Sequence, residues 1–330
     1  MSDIDCINDR IRDFKEKYSL KHSDISAITG YSVSSIKKWM MDDEHQFSQK
    51  APIQALRLLD NWVSLQGEKE GKNENVEDKS IAEIWSFLNF KGGVGKTTVA
   101  FNICLMLSRN KKVLVIDGDP QGHLSSSLIK DPSDMKFTTS DLVTGRSGKP
   151  YLFSENLHVI GTNNSLANTC EAIPASDLLF LIKENLLAFR EKYDYIIIDS
   201  LPSKGALYDS IMAASDKIIV PFTPDLYDSW GLQDVYQQVK KLKMRKINDK
   251  VKVAALIPNR VEKPLRNFDK DVINIVKKTF PNEICPTFIS NTVRLRECKS
   301  PAIAMSIVDY APNENAAKEY EAVLEYILNS

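Results

Sequence analysis

The spacing of hydrophobic and polar residues changes near position 80, and this change divides the chain into two regions. Before it, apolar residues recur three and four positions apart, as in Ile7, Ile11 and Phe14, which is typical of amphipathic helices. From position 81 onward, short continuous apolar runs alternate with helical segments. Such runs are typical of strands buried on both faces of a parallel sheet. We therefore predict a helical domain over residues 1–66 and an α/β domain over residues 81–330.

Residues 67–80 separate these two regions. Their sequence, GEKEGKNENVEDKS, is charged and contains almost no apolar residue. A segment of this composition cannot bury enough apolar surface to offset the conformational entropy that it would lose on ordering. We therefore predict that it is a flexible, exposed linker.

Three apolar runs mark predicted strands in the α/β region. Ile84–Phe90 is rich in aromatic residues, whereas Lys112–Ile116 and Tyr195–Ile198 are each followed by an aspartate. Strands that alternate with helices predict a doubly wound, mostly parallel sheet. In such a sheet, residues after the carboxyl ends of the strands point into one crevice. Asp117 and Asp199 are therefore expected in that crevice.

The segment KGGVGKTT follows the first predicted strand and precedes a predicted helix that begins near Lys96. This is the context of a phosphate-binding loop, in which backbone N–H groups and the helix dipole converge on phosphate oxygens. Lys96 is expected to neutralise the β- and γ-phosphates of ATP, and the Thr97 hydroxyl is suited to Mg²⁺. We therefore predict a P-loop NTPase fold with the ATP-binding residues Lys91, Gly92, Gly93, Val94, Gly95, Lys96, Thr97 and Thr98.

The loop departs from the ordinary pattern at its start. In Gly-x-x-x-x-Gly-Lys-Ser/Thr the first glycine would stand at position 90, but this chain has Phe90 and then a second lysine, Lys91. The alternative interpretation of Lys91 is a surface lysine before an otherwise ordinary loop.

Three aspartates are candidates for the chemistry beside this loop. Asp199 follows three isoleucines, a pattern typical of the carboxylate that holds Mg²⁺, often through water. Asp117 and Asp119 lie two residues apart on one loop. A lone aspartate at a strand end is also common as a helix cap or in a solvated turn. Because a matched phosphate loop precedes all three, we predict a functional role for them.

These motifs resemble the ParA-type, deviant-Walker ATPases that partition plasmids and chromosomes. The resemblance covers roughly residues 81–330 and is carried by KGGVGKTT, by VIDGDPQG at residues 115–122 and by YDYIIID at residues 193–199. It continues through ASDKIIVP at residues 214–221 and VRLRE at residues 293–297. The chain departs from the family at Ser200-Leu201-Pro202, where Cys-Pro-Pro is common, at Lys204 and at His123.

The resemblance implies a role for each candidate residue. Lys91 would reach across a homodimer to the ATP of the partner, so that Lys91, Lys96 and Asp119 are the predicted catalytic residues. Asp119 would orient or activate the attacking water, and Asp117 would support the magnesium shell formed with Thr97 and Asp199. Asn259 follows a predicted strand and would contact the adenine.

The resemblance also implies partners. ATP-bound dimers of this family bind nucleoid DNA without sequence preference through basic C-terminal residues, here the group Arg294, Arg296 and Lys299, of which Arg294 and Arg296 are the predicted contacts. The basic residues Lys240, Lys241, Lys243, Arg245 and Lys246 are a second candidate, although a solvated helix face explains them equally well. A ParB-like centromere-binding protein would stimulate the weak ATPase activity. The protein would be cytoplasmic and associated with the nucleoid.

The first region also carries a recognisable pattern. Ser23 and Ser32 are predicted N-caps of two helices, and Gly30 is predicted to close the first of them. Ile25, Tyr31, Val33, Ile36 and Trp39 are expected to face inward, and Pro52–Leu65 is expected to close the core.

This pattern resembles the helix-turn-helix of repressor-like domains. The predicted DNA contacts are Ser32, Ser34, Ser35, Lys37 and Lys38, and the domain would repress its own operon. A helical hairpin used for dimerisation or docking is the alternative.

Composition narrows the remaining classes of function. The net charge of −1 means that any DNA contact must come from a local patch, and the five cysteines form no Cys-x-x-Cys pair. The charged start and the absence of a long apolar run predict a protein without signal peptide or membrane contact. A MinD-like positioning ATPase would need a basic amphipathic C-terminal helix, but the chain ends in an acidic one. An ATP-controlled transcriptional regulator remains an alternative.

Overall fold

A computed structural model describes residues 7–29, 31–41, 51, 55, 58–59 and 81–330, without the side chains of residues 7 and 226–230. The chain divides into two compact units, Met1–Asp78 and Lys79–Ser330. The predicted linker at residues 67–80 lies almost entirely outside the described residues, as does most of the predicted helix Pro52–Leu65. The exact domain boundaries therefore stay a prediction.

The first unit contains three described helices, α1 (Ile7–Lys17), α2 (His22–Thr29) and α3 (Val33–Trp39). They pack around a small apolar core, to which residues of the following segment also contribute. Its buried members are Ile11, Phe14, Ile25, Ile36, Trp39, Ala51, Ala55 and Leu59.

Two details of this unit differ from the sequence-based predictions. The prediction that Val33 faces inward is wrong: as the first residue of α3 it remains 38% exposed. Ser23 does not cap α2, because the helix already begins at His22. The Asp24 carboxylate accepts the backbone N–H of Lys21, the residue before the helix, at 2.7 Å. The Ser32 cap is confirmed, since its side chain accepts the N–H of Ser35. Gly30 lies outside the described residues.

The second unit is built on a seven-stranded sheet in the order β3-β4-β2-β5-β1-β6-β7. Only the edge strand β3 is antiparallel to its neighbour. The predicted doubly wound, mostly parallel sheet is therefore confirmed. The strands are β1 Glu83–Phe87, β2 Val113–Gly118, β3 Tyr151–Ser154, β4 Leu157–Ile160, β5 Tyr195–Ser200, β6 Lys217–Phe222 and β7 Lys252–Pro258.

Helices cover both faces of this sheet, and a short 3-10 helix spans Pro132–Asp134. The helices of the second unit are α4 Lys96–Leu107, α5 His123–Leu128, α6 Thr139–Val143, α7 Ser165–Glu171, α8 Ala175–Arg190, α9 Ala206–Ala214, α10 Leu226–Met244, α11 Asn267–Thr279, α12 Arg294–Glu297, α13 Ile307–Tyr310 and α14 Asn315–Asn329.

The central strands are apolar throughout because each of their two faces enters a core. Ile84 and Ile196 contribute to one core, under α8, α9 and α10. Their chain neighbours Trp85 and Ile197 contribute to the other, under α4 and α14. Successive side chains of a strand point to opposite faces, so a strand buried on both sides must be apolar at nearly every position.

The strand order determines which residues meet at the carboxyl edge of the sheet. β1, which leads into the phosphate loop, lies between β5 and β6. β5 pairs with β2 on its other side, in a register that sets Asp199 opposite Asp117. The loop and both strand-end aspartates therefore lie at the same edge of the sheet. No helix among the described residues is long and apolar enough to span a bilayer.

Candidate functional site

The phosphate loop connects β1 to α4 with two residues in the left-handed backbone region. Gly93 has a φ of 76° and Gly95, the N-cap of α4, has a φ of 94°. A side chain is strained in this region, and glycine is not. At Gly95 there is also no room, since an added Cβ would lie 2.2 Å from Nδ2 of Asn259.

Two side chains from the end of β7 hold the loop in this shape. Asn259 donates from Nδ2 to the carbonyl of Val94 at 2.7 Å, and Arg260 donates from Nη1 to the carbonyl of Gly93 at 2.5 Å. Asn259 is only 2% exposed. Its side-chain nitrogen therefore binds the loop. A contact between Asn259 and an adenine stays a prediction.

Lys96 lies at the first position of α4 with its ammonium turned back toward the loop. Its Nζ donates to the carbonyl of Lys91 at 3.2 Å, and the side chain is buried. Burial lowers the pKa of Lys96, and the negative charges of Asp199 and Asp119 oppose that shift. An anion held on the loop would add a further favourable partner.

Lys91 occupies a different position from Lys96. Its backbone N–H donates to Oδ1 of Asn89 at 2.9 Å, while its ammonium lies 3.4 Å from Oδ2 of Asp225. Both side chains of this ion pair are close to half exposed. The charged end of the second lysine is thus paired with a carboxylate that lies outside the phosphate loop.

Asp199 is the most unusual carboxylate of the site. It is fully buried, and neither of its oxygens has a hydrogen-bond partner among the described residues. Burial raises its pKa, and the charge of Asp117 raises it further, although the nearby Thr97 hydroxyl opposes the shift. A buried carboxylate without partners is costly unless a cation binds it. Asp199 and Thr97 therefore fit a Mg²⁺ ion whose remaining ligands come from phosphate and water.

Asp117 is buried as deeply, but its oxygens are engaged. Oδ2 accepts from the backbone N–H and the hydroxyl of Ser125 at 2.7 and 2.6 Å, and Oδ1 accepts the N–H of Asp119 at 3.1 Å. The Ser125 hydroxyl in turn accepts the N–H of Thr162 at 2.8 Å. Asp117 thus fixes the turn after β2, and its predicted support of the magnesium shell would act through this turn.

No group of three or more His, Cys, Asp or Glu side chains in the described part of the chain could hold a metal by itself. A magnesium ion here would therefore depend on the nucleotide for ligands.

Asp119 faces the open side of the site. It is 9% exposed, and its Oδ1 accepts the N–H of Gln121 at 3.0 Å, which holds the carboxylate at the start of the turn. Asp119 is the one strand-end aspartate of the three that lines the cavity described next.

A cavity of about 850 Å³ opens over the loop and has two walls. The phosphate-loop wall consists of Gly92, Gly93, Gly95, Lys96, Thr97 and Thr98. The C-terminal wall consists of Asn291, Thr292, Leu295, Arg296, Lys299, Ser300 and Pro301. Between them the lining is completed by Asp119, Gln121, His123, Ser126, Ser127, Pro202, Asn259 and Arg260.

Most predicted site residues of the second unit meet at this cavity, but some do not. Val94, Asp117 and Asp199 lie behind its surface, and the side chain of Lys91 is not part of the described lining. Sequence reasoning missed Arg260 as a clamp of the loop. The only signal for it was its position directly after Asn259 at a strand end.

The predicted DNA-contacting arginines differ in their surroundings. Arg294 lies at the start of α12 and pairs with Glu297 at 2.8 Å and Glu314 at 3.8 Å, whereas the exposed Arg296 lines the cavity. In the second basic group, all the side chains are exposed: Lys240, Lys241, Lys243, Arg245 and Lys246.

In the first unit, the predicted DNA contacts extend along α3, from its N-cap Ser32 to Lys37 and Lys38 in its last turn. Ser32, Ser34 and Lys37 are exposed, while Ser35 and Lys38 are partly buried. The Ser32 hydroxyl lies 2.9 Å from those of both Ser34 and Ser35.

Comparison with known proteins agrees with this geometry. A family model described as an AAA domain matches residues 82–253, which is more than half of the chain. The sporulation initiation inhibitor protein Soj of Bacillus subtilis is 31% identical over 246 residues, covering 73% of this chain and 96% of Soj. The chromosome partitioning protein ParA of Myxococcus xanthus is 27% identical, over 74% of this chain and 87% of that protein.

A solved structure is similar as well. A plasmid partition protein of Borrelia burgdorferi bound to AMPPNP is 26% identical with a TM-score of 0.65, covering 75% of this chain and 99% of that one. The family model leaves the first unit unmatched. These relatives share the family that the phosphate loop, the strand-end aspartates and the sheet order indicate. The chain belongs to the ParA-type, deviant-Walker family of partition ATPases.

Proposed function

We propose that this chain is a DNA-partition ATPase that binds ATP and Mg²⁺ at the cavity and dimerises in the ATP-bound state. The observation that carries the proposal is the buried, unpartnered carboxylate of Asp199 beside a clamped glycine loop and the buried Lys96. A cation would stabilise the Asp199 carboxylate, and an anion would stabilise the loop amides and Lys96. A magnesium nucleotide supplies the two together.

Each residue of the site has a role in this proposal. The loop amides and Lys96 bind the phosphates, and Thr97 and Asp199 hold Mg²⁺, which when bound neutralises phosphate charge. Asp119, fixed by the N–H of Gln121, orients the water that attacks the γ-phosphate. Asn259 keeps the loop in the conformation that binds.

Lys91 is proposed to complete the site of a second copy of the chain. Two observations support this: its side chain is absent from the described lining of its own cavity, and its ammonium pairs with Asp225 through an exposed contact. An exposed pair of this kind is worth about 0–1 kcal/mol, so it yields readily to a triphosphate of higher charge. Dimerisation then depends on the γ-phosphate, and hydrolysis releases the dimer.

We further propose that the ATP-bound dimer binds nucleoid DNA without sequence preference through Arg294, Arg296 and the basic end of α10. A ParB-like centromere-binding protein would stimulate hydrolysis. The helices α2 and α3 would bind the operator of the chain's own operon, with Lys37 among the contacts. The exposure of Lys37, Arg296 and the α10 cluster supports these assignments.

The test of the ATPase proposal is the variant Lys91→Gln. We expect ATP affinity within about threefold of wild type but hydrolysis reduced about 100-fold or more, since cationic groups supplied in trans to phosphoryl transfer have effects of this size. ATP binding is measured by equilibrium titration, dimerisation by sedimentation with a non-hydrolysable analogue, and hydrolysis by phosphate release. Lys111→Gln, an exposed lysine beyond α4, is the control. Undiminished hydrolysis by Lys91→Gln would defeat the assignment.

The DNA proposals are tested by binding with ATP, ADP and no nucleotide, on random DNA and on the DNA upstream of the coding region. Random DNA should require ATP, and its binding should weaken steeply with salt. Lys37→Gln should weaken operator binding alone, whereas the exposed Lys17→Gln on α1 should change neither. Equal loss on both DNAs would argue against a separate operator site.

A further inference from the structure

The C-terminal wall of the cavity contains one lysine whose environment differs from that of the surface cations nearby. Lys299 follows the fully buried Cys298 and lines the cavity together with Arg296. Its own side chain is partly buried, whereas Arg294 and Arg296 are exposed. In the sequence, Lys299 belongs to the same group of basic residues as Arg294 and Arg296, and its partial burial distinguishes it from them.

The backbone around Lys299 is held firmly. The N–H of Cys298 donates to the carbonyl of Arg294 at 2.9 Å, and the N–H of Ser300 donates to the carbonyl of Glu297 at 3.0 Å. The carbonyl of Cys298 accepts the N–H of Met305 at 3.1 Å. Lys299 thus lies in a turn whose neighbouring residues, Cys298 and Ser300, are both fixed by backbone hydrogen bonds.

The ammonium of Lys299 lacks the compensation that other buried lysines of the chain have. Lys217, which is 5% exposed, donates to the carbonyl of Ile327 at 3.1 Å and lies 3.4 Å from Glu83. For Lys299, no hydrogen bond or ion pair is found within the described residues. Burial lowers its pKa, and only the Cys298 thiol and the carboxylate of Asp199 oppose that shift. Partial burial of a charge without a partner is unfavourable.

The charges around the cavity show which ligand would offset this cost. Four cationic side chains line it, Lys96, Arg260, Arg296 and Lys299, against the single carboxylate of Asp119. Such an excess of positive charge in a concave site favours a polyanion. A DNA duplex is a less suitable ligand, because its phosphates contact exposed cations, whereas the side chain of Lys299 is partly buried.

We propose that Lys299 is a further nucleotide-binding residue, which contacts the phosphates of the bound nucleotide from the C-terminal wall. The inference rests on the proposed function, since it requires a nucleotide in this cavity. Within the same chain, the nucleotide is then held from two sides, by Lys96 on the phosphate-loop wall and by Lys299 on the C-terminal wall. Lys91 of a second copy completes the set.

The test compares Lys299→Gln with wild type in titrations with Mg-ATP and Mg-ADP, without DNA. We expect the affinity of the variant to fall about tenfold or more, as for the loss of a charge-assisted hydrogen bond. Lys299→Arg should retain most of the affinity. Lys318→Gln, an exposed lysine on α14, is the matched control and should bind as wild type. Thermal unfolding of each variant verifies that it is folded.

A second measurement needs no substitution. Acetylation of wild-type lysines, read by mass spectrometry, should be suppressed by Mg-ATP at Lys96 and Lys299 but not at Lys318. Wild-type affinity for ATP in Lys299→Gln, or labelling of Lys299 that ATP leaves unchanged, would overturn the inference. If Lys299→Gln keeps wild-type nucleotide affinity but loses binding to random DNA in a separate assay, the inference is overturned and Lys299 is assigned to DNA. If the wild type itself binds no ATP, the proposed function fails, which is a distinct result.

Discussion

The two walls of the cavity are positioned by different kinds of contact. The phosphate-loop wall depends on left-handed glycines and on side-chain bonds from Asn259 and Arg260, more than 160 residues away in the chain. The C-terminal wall is shaped by local backbone hydrogen bonds and anchored by the buried Leu295 and Cys298. A change in the first wall should therefore destroy the shape of the site, whereas a change in the second should remove one contact.

The strongest test of this difference is Gly95→Ala. The alanine would have to adopt a strained φ, and its Cβ would lie 2.2 Å from Nδ2 of Asn259, so the loop must move. We expect ATP affinity to fall about 100-fold or more, since strain and displacement each cost roughly 1–3 kcal/mol. Titration calorimetry measures it. Gly205→Ala is the control, because nothing lies within 4 Å of its Cβ position and its backbone is extended. Tight ATP binding by Gly95→Ala would show that the loop is not held as described.

A smaller effect is expected from Asn259→Ala. This change leaves the carbonyl of the buried Val94 without its side-chain donor, at a cost of about 1–3 kcal/mol, so we expect roughly tenfold weaker ATP binding. Asn291→Ala, the corresponding change on the C-terminal wall, should alter affinity less than about twofold, because its exposed amide bonds only Glu262.

The double variant Gly95→Ala/Asn259→Ala sharpens the same comparison. Because Nδ2 of Asn259 is the atom that an alanine Cβ would meet, removing it should restore part of the lost affinity. Strictly additive losses would mean that the two residues do not act through this contact.

The smallest expected effect concerns Lys91, at the start of the loop. Asp225→Asn removes the carboxylate that lies 3.4 Å from its ammonium, which should raise ATP-dependent dimerisation about two- to fivefold, in line with the value of an exposed ion pair. Sedimentation at several protein concentrations measures it. Asp234→Asn removes a comparable exposed pair with Lys204 and serves as the control. Weaker dimerisation in Asp225→Asn would indicate that this pair supports the interface.

Much of the phosphate-loop wall, and the buried Asp199 behind it, could be predicted from the sequence. Glycine spacing, Lys96 and the aspartate after three isoleucines are local patterns, and each reflects a local backbone or strand-end requirement. The apolar runs likewise predicted β1, β2 and β5 to within a few residues, because strands buried on both faces leave little ambiguity.

The remaining features depend on contacts between distant parts of the chain. No local pattern shows that Nδ2 of Asn259 contacts Val94, or that Lys299 shares a cavity with the loop. Val33 was placed wrongly because helical spacing alone does not show that the first residue of a short helix extends past the core. Residues such as these become interpretable only once the sheet order is known.

The hydrogen bonds that join Asp117, Ser125 and Thr162 tie the ends of β2 and β4 to α5. This edge of the sheet is therefore organised while the chain folds, and little ordering entropy is left to be lost when a ligand arrives. The turn after β2, which carries Asp119 to the cavity, is held by these bonds before a ligand binds. Under the proposed function, we expect any movement that follows hydrolysis to arise in the exposed turn at residues 202–205, just after the strand that carries Asp199.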